Sequence, residues 1–233
     1  MLPKLNDTPK YEMTIPSLGL SVKYRPYLVK EEKVLLMAQE TQDNQEIIRS
    51  VVDTVSSCIE SDIDMDTLST FDVDYMFTQI RMKSVGETAE MIFNCHSCKE
   101  GNLHVVPLAE AKLDGEIPET SDVELTDDVT VIMRYPSYTK MAGGDQIETP
   151  EDLAMMIIKA SMYAVRTSSD YIIVDEVPAE ELDAFVGSLT SQQFAKLGEW
   201  VGTAPRLVYD SKFKCKECGE ENRVVLEGLQ SFF

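Results

Sequence analysis

Phe93-Asn94-Cys95-His96-Ser97-Cys98-Lys99-Glu100-Gly101-Asn102 returns later in the chain as Phe213-Lys214-Cys215-Lys216-Glu217-Cys218-Gly219-Glu220-Glu221-Asn222. The phenylalanine, both cysteines and the asparagine keep their spacing in the two copies. An apolar run follows each, Leu103 to Leu108 and Val224 to Leu226. A gap of two residues between cysteines lets a tight turn aim both sulfurs at one ion. Each copy therefore reads as strand, thiolate turn, strand, and two such knuckles facing each other make a zinc ribbon. The expected ligands are Cys95, Cys98, Cys215 and Cys218, holding one structural zinc per chain. The pairs of an ordinary ribbon stand ~15–20 residues apart, whereas 116 residues lie between Cys98 and Cys215. The ribbon is thus expected to be split by an insertion whose ends the metal ties together.

Other uses of these cysteines stay open at this point. They include two separate metal sites, iron in a rubredoxin-like site, a dithiol redox centre built on Cys-His-Ser-Cys, and unliganded core thiols. Structural disulfides are disfavoured in a reducing compartment. The fifth cysteine, Cys58, lies on the apolar face of a helix and reads as a small buried hydrophobe.

Before the first knuckle, Tyr11, Met13 and Ile15 alternate with polar residues, as do Leu20, Val22 and Tyr24 after Pro16-Ser17-Leu18-Gly19. This predicts a β-hairpin with a four-residue turn. Residues 30–40 read as a helix with Val34, Leu35 and Ala38 on one face. Asp43 offers an N-cap and Glu46 the capping-box partner for a second helix, whose stripe is Ile47, Ile48, Val51, Val52, Val55, Cys58 and Ile59. Asp62 to Asp66 lacks the glycine and terminal glutamate of a calcium loop and reads as a solvated linker. Val73, Met76, Phe77 and Ile80 mark a third helix.

Between the knuckles, residues 109–128 are acidic and turn-rich, and Val129 to Tyr135 alternate as a strand. Met141-Ala142-Gly143-Gly144 breaks the pattern without a following GK[ST], so it is no phosphate loop. Thr149-Pro150-Glu151-Asp152 is a helix start. The helix it opens is apolar on two stripes, Leu153, Met156, Ile157, Ala160 and Tyr163, and Met155, Ile158, Met162 and Val165, and is expected to lie in the core, the alternative being a methionine-rich face against a partner. Tyr171 to Val174 reads as a short strand. Helices follow over 180–189 and from Thr190, with Trp200 near the end of the second. Phe232 and Phe233 are expected to be packed. The fold class is therefore α+β: an N-terminal β-hairpin, a mainly helical body and a split zinc-ribbon-like pair of knuckles. Residues 1–84 would form the hairpin and helices. Residues 85–233 would form the ribbon part, from 88–108 and 209–229, with a helical insertion over 109–208, all in one unit.

Composition narrows function. Of 233 residues, 41 are acidic and 21 basic, a net charge of -20. That disfavours a phosphate-backbone binder, which needs a basic face, and adhesion to anionic lipid. Lys212, Lys214 and Lys216 are the only support for a zinc-ribbon nucleic-acid binder. No stretch has the ~20 apolar residues of a membrane span. The start of the chain lacks a signal-peptide core, which predicts that the protein stays in the cytoplasm where it is made. The two histidines, His96 and His104, both sit in or beside a knuckle, so no Ser/His/Asp arrangement can be assembled. No P-loop, dinucleotide fingerprint or HExxH is present. The chain is not expected to be an enzyme; a thiol oxidoreductase is the remote alternative.

The tract Tyr11-Glu12-Met13-Thr14-Ile15-Pro16-Ser17, preceded by Leu2-Pro3-Lys4-Leu5, and above all Tyr24-Arg25-Pro26-Tyr27-Leu28-Val29-Lys30-Glu31-Glu32-Lys33-Val34-Leu35-Leu36-Met37-Ala38-Gln39-Glu40, resembles the T4-type bacteriophage baseplate hub protein family. The resemblance is clear over roughly the first 60 residues. It implies a non-enzymatic protein of tail morphogenesis that helps build the central hub of the baseplate, with no catalytic residues to transfer. The partners it implies are other baseplate and tail proteins, which the acidic balance predicts to present a basic surface. A homo-oligomer within the hub is compatible with it. The alternative is a transient assembly chaperone, for instance for the tape measure, that is absent from the mature virion.

Overall fold

Alternation decides the first element. In a computed structural model that describes residues 8–118, 121–142 and 149–228, β1 (Tyr11–Thr14) and β2 (Ser21–Tyr24) pair antiparallel with Met13 opposite Val22. Ile15 and Leu20 close the turn, and Gly19 supplies its left-handed residue at φ +61°. Met13, Ile15, Val22 and Tyr24 are buried. The expectations for Leu2 to Leu5, Gly143-Gly144 and Phe232-Phe233 lie outside the described residues.

Three helices follow, α1 (Val29–Thr41), α2 (Asn44–Cys58) and α3 (Thr70–Ser84). The expected stripe on α2 is present, with Val51, Val55 and Cys58 fully buried. Asp43 caps it by accepting the Gln45 N–H at 2.8 Å, in place of the reciprocal bond with Glu46. Burial pushes the Cys58 thiol up to about 11, so it stays protonated and packs as a hydrophobe. On α3, Phe71, Val73, Met76, Phe77 and Ile80 are buried together with Asp72, Asp74 and Thr78. Asp72 accepts the Ser17 N–H at 2.8 Å and the Ser17 hydroxyl at 2.6 Å, which pins the hairpin turn to this helix.

On α1 the packed face is Glu31, Leu35 and Ala38; Val34, expected with Leu35 and Ala38, is 51% exposed. Leu35 and Ala38 are buried as expected; Val34 lies at the margin of the face, and because apolar residues ring this helix the sequence leaves that margin ambiguous. Burial of Glu31 pushes its carboxyl up, but three donors outweigh it and hold the group below the usual carboxylate range. They are Arg25 Nη2 at 2.9 Å, the Leu28 N–H at 2.8 Å and Lys30 Nζ at 3.3 Å. A carboxyl depressed in the folded state stabilises above its unfolded pKa of ~4.3 and loses that contribution as pH falls through the folded value. The stability difference between the wild type and Glu31→Gln should therefore be constant near neutral pH and shrink in acid. Urea midpoints measured from pH 7 downward check this.

The chain then runs through β3 (Thr88–Asn94), β4 (Gly101–Pro107) and β5 (Lys112–Asp114). Beyond β5 come β6 (Asp122–Glu124), β7 (Thr130–Met133), α4 (Tyr138–Ala142), α5 (Pro150–Ser161), β8 (Met162–Arg166), β9 (Tyr171–Ile173), α6 (Ala179–Gly187) and α7 (Ser191–Gly202). The last strands are β10 (Arg206–Lys214) and β11 (Glu221–Glu227). The fold is mixed helix and sheet, with small antiparallel sheets ordered β1-β2, β3-β4, β11-β10-β5 and β6-β7-β8-β9. Contacts divide it into two compact units. One takes the described residues of Met1–Met65, Phe71–Asp114 and Arg206–Phe233 and contains the ribbon; the other takes Asp66–Thr70 and Gly115–Pro205.

The second unit packs its helices on the four-stranded sheet. Val131, Met133, Ile158, Met162, Val186 and Leu197 form its core. Trp200 stacks on Tyr135 with ring centroids 4.5 Å apart. Gly115 and Pro205 touch: a β-carbon on Gly115 would lie 2.9 Å from Pro205 Cα, and its φ of +120° is one that side chains rarely adopt. Two expectations change here. The helix beginning at Pro150 ends at Ser161, and Met162, Tyr163 and Val165 belong to β8, paired with β7. Nor is that helix central, since only Ile158 and Ser161 on it are buried and Leu153 is 40% exposed. Residues 109–128 also carry two short strands, β5 and β6, that their acidic, turn-rich composition hides. Among the described residues no helix is long and apolar enough to cross a membrane.

Candidate metal centre

Each knuckle is a turn between two paired strands. Phe93 lies opposite Asn102 in β3–β4, and Phe213 opposite Asn222 in β10–β11. The turns close by the same bonds. Cys95 N–H donates to Glu100 O at 2.9 Å and Lys99 N–H to Cys95 O at 3.0 Å; Cys215 N–H donates to Glu220 O at 2.8 Å and Gly219 N–H to Cys215 O at 3.0 Å. The residue after each second cysteine is left-handed, Lys99 at φ +62° and Gly219 at φ +72°. Behind the turns the hairpins share one core that includes Ala89, Val106, Leu108, Leu207, Tyr209 and Val224. β5 pairs with the start of β10, Leu113 opposite Leu207.

This packing brings all four cysteine sulfurs within 4.8 Å of one another. Cys95 Sγ is 3.7 Å from Cys218 Sγ, and Cys98 Sγ is 3.5 Å from Cys215 Sγ. A tetrahedron with ~2.3 Å metal–sulfur bonds has edges of ~3.8 Å. The four cysteines can hold a metal ion, and the two CxxC pairs form a zinc-ribbon-like arrangement. Cys95 and Cys215 are buried; Cys98 and Cys218 are exposed.

Local dipoles favour charge on the first cysteine of each pair. The Cys98 and Ser97 N–H groups lower the Cys95 thiol, and those of Cys218 and Glu217 bring Cys215 down to about 6. The Glu100 N–H lowers Cys98, but burial and the three neighbouring sulfurs push it up to about 12. Cys218 is raised as well, with the sulfurs of Cys95 and Cys215 and burial outweighing the Glu220 N–H and Cys98. Four crowded thiols cannot all ionise by themselves. A divalent cation, if held there, would supply the positive charge that lets them do so.

Two residues the sequence had marked only as a shared flank complete the site. Asn102 is buried in β4. Its amide donates to Glu100 O at 2.7 Å and reaches Cys215 Sγ across the ribbon at 3.6 Å, while its oxygen accepts the Lys216 N–H at 2.8 Å. Asn222 does the reverse. It donates to Glu220 O at 2.9 Å and approaches Cys95 Sγ at 3.6 Å, and it accepts the His96 N–H at 2.9 Å. Each knuckle thus holds the other by one asparagine. Replacing Asn102 with alanine strands the Lys216 N–H and removes the sulfur contact, a loss of about 1–3 kcal/mol. Asn222→Ala should cost about as much. Chemical denaturation of both variants beside the wild type measures this.

Neither histidine joins the sulfur cluster. His96 Nδ1 sits 2.7 Å from Asn222 Oδ1, and His104 Nε2 sits 3.2 Å from the Tyr209 hydroxyl, its ring 5.9 Å from that of Phe213. Among the described residues, the four cysteines are the only metal-capable group. The lysines that hinted at nucleic acid are partly neutralised: Lys212 pairs with Glu221 and Lys216 with Glu100, each at 3.0 Å.

Residues 8–233 match the family described as T4 bacteriophage base plate protein. The chain belongs to that family. The match spans both knuckles, the insertion and the tract Tyr24 to Glu40, and so extends the N-terminal resemblance to nearly the whole chain. Comparison with curated proteins and with solved structures gave no match. The baseplate protein is thus a structural component of a phage tail that works among other tail proteins.

Proposed function

We propose that this baseplate protein is a non-enzymatic component of the central hub, and that Cys95, Cys98, Cys215 and Cys218 bind one structural zinc ion that closes the split ribbon. The family match over residues 8–233 carries the baseplate part of this reading. The tract Tyr24 to Glu40 supports the hub. The sulfur tetrahedron supports the metal, and a four-thiolate set without histidine selects zinc or iron over harder cations. A role without catalysis is supported by the hydrogen bonds that engage both histidines, His96 with Asn222 and His104 with Tyr209. The net charge of -20 supports partners with basic surfaces, met by steering that weakens with salt, and the family supports assembly in the host cytoplasm and a final place in the virion tail.

Quantitative mass spectrometry of purified hub intermediates and mature virions tests the hub assignment. The expected result is the chain at a fixed copy number in both. Its presence in intermediates alone would favour the transient tail-assembly chaperone, and its absence from all of them would exclude the hub.

A further inference from the structure

The two ribbon halves correspond position by position, so one serves as an internal control for the other. The outward face of β10–β11 is a solvated, charged surface: Lys212 pairs with Glu221, and Arg223 pairs with Asp210. At the matching positions β3–β4 carries Ile92, Gly101, Leu103 and Glu90. Ile92 is 73% exposed, and Leu103, directly across from it, is 64% exposed. Val105, opposite Glu90, is 49% exposed. A β-carbon on Gly101 would meet Ile92 Cγ2 at 3.1 Å, so glycine leaves that apolar side chain unobstructed. Val105 matches Val225, itself 42% exposed, so the halves differ at Ile92, Gly101 and Leu103, where one carries ion pairs and the other exposed apolar side chains. Adjacent exposed apolar side chains at positions where the counterpart carries ion pairs mark an interaction site.

We infer that the outward face of β3–β4 docks a tail protein presenting an apolar strip flanked by lysine or arginine. Charge identifies the occupant. Glu90 is the acidic group within this face, and a second copy of a chain carrying -20 would bring like charge against it. A basic flank pairs with Glu90 while its apolar strip covers Ile92, Leu103 and Val105. The inference rests on the baseplate reading and names the surface through which that role is exercised.

The double variant Ile92→Lys, Leu103→Arg gives β3–β4 the residues of its solvated counterpart. It should keep the wild-type circular dichroism, melting temperature and metal content, yet enter baseplates at least ~tenfold less than the wild type during infection. A photo-crosslinking residue at Leu103 of the otherwise native chain should join one tail protein at a segment rich in lysine or arginine, while the same residue at Lys212 should not. Wild-type incorporation of the double variant, a crosslink from Leu103 to a second copy of this chain, or equal crosslinking from both faces would overturn the inference while leaving the baseplate reading intact. Absence of the wild-type chain from every baseplate and intermediate would instead remove the reading on which it rests.

Discussion

A chain carrying Cys95→Ser or Cys218→Ser should hold less than one metal ion and melt well below the wild type. The two substitutions test different halves of the ribbon, because these sulfurs come from opposite knuckles yet lie 3.7 Å apart. Serine keeps the volume but supplies neither a soft ligand nor a readily formed anion. Structural zinc sites in small peptides are worth an apparent ~10–16 kcal/mol. That range is an upper bound for this chain, because the hairpins behind the knuckles already share an apolar core around Val106, Leu207 and Tyr209. Even ~5 kcal/mol would lower the melting temperature by roughly 10–20 °C in a chain of this size. The loosened ribbon should show as faster amide exchange in the knuckle turns, while Val131 and Leu197 in the other unit stay protected. Unchanged metal content in both variants would refute the pairing of the two CxxC motifs at one ion.

The second large effect belongs to α3. Phe77 is 1% exposed on the most buried helix of the ribbon-bearing unit. Phe77→Ala removes a whole ring from a packed interior and leaves a cavity, at a cost of about 3–5 kcal/mol. The unit's melting temperature should fall by roughly 6–20 °C. Val34→Ala is the control: Val34 is 51% exposed on α1, so its loss should stay within about 0.5 kcal/mol. Differential scanning calorimetry of the two variants separates these outcomes. A small effect at Phe77 would contradict the placement of α3 at the centre of its unit.

How much of this was legible beforehand follows from the kind of signal each element carries. The knuckles were readable because cysteine spacing is a chemical constraint that survives a 116-residue interruption. The hairpin and α2 were readable because their apolar periods, two and 3.6, are unambiguous over their length. β8 was not, because Met162, Tyr163 and Val165 also fall at helical spacing from Leu153 to Ile158. Only the pairing of Val131 with Val165 selects the strand. On α1, Leu35 and Ala38 were read correctly and Val34 was not, because apolar residues surround the helix and Glu31, paired with Arg25, takes the inward position instead. The asparagine brace lay in view as a shared offset from each CxxC. Its meaning needed the three-dimensional fact that each asparagine serves the opposite knuckle.

One zinc ion is proposed to close the ribbon. Native mass spectrometry of the intact chain, purified without added metal, tests it most directly. The expected mass is that of the bare chain plus one zinc less the protons it displaces, converting to the bare chain on acidification. A chain without metal, a chain lighter by the hydrogens of disulfide formation, or a chain loaded with iron would contradict it.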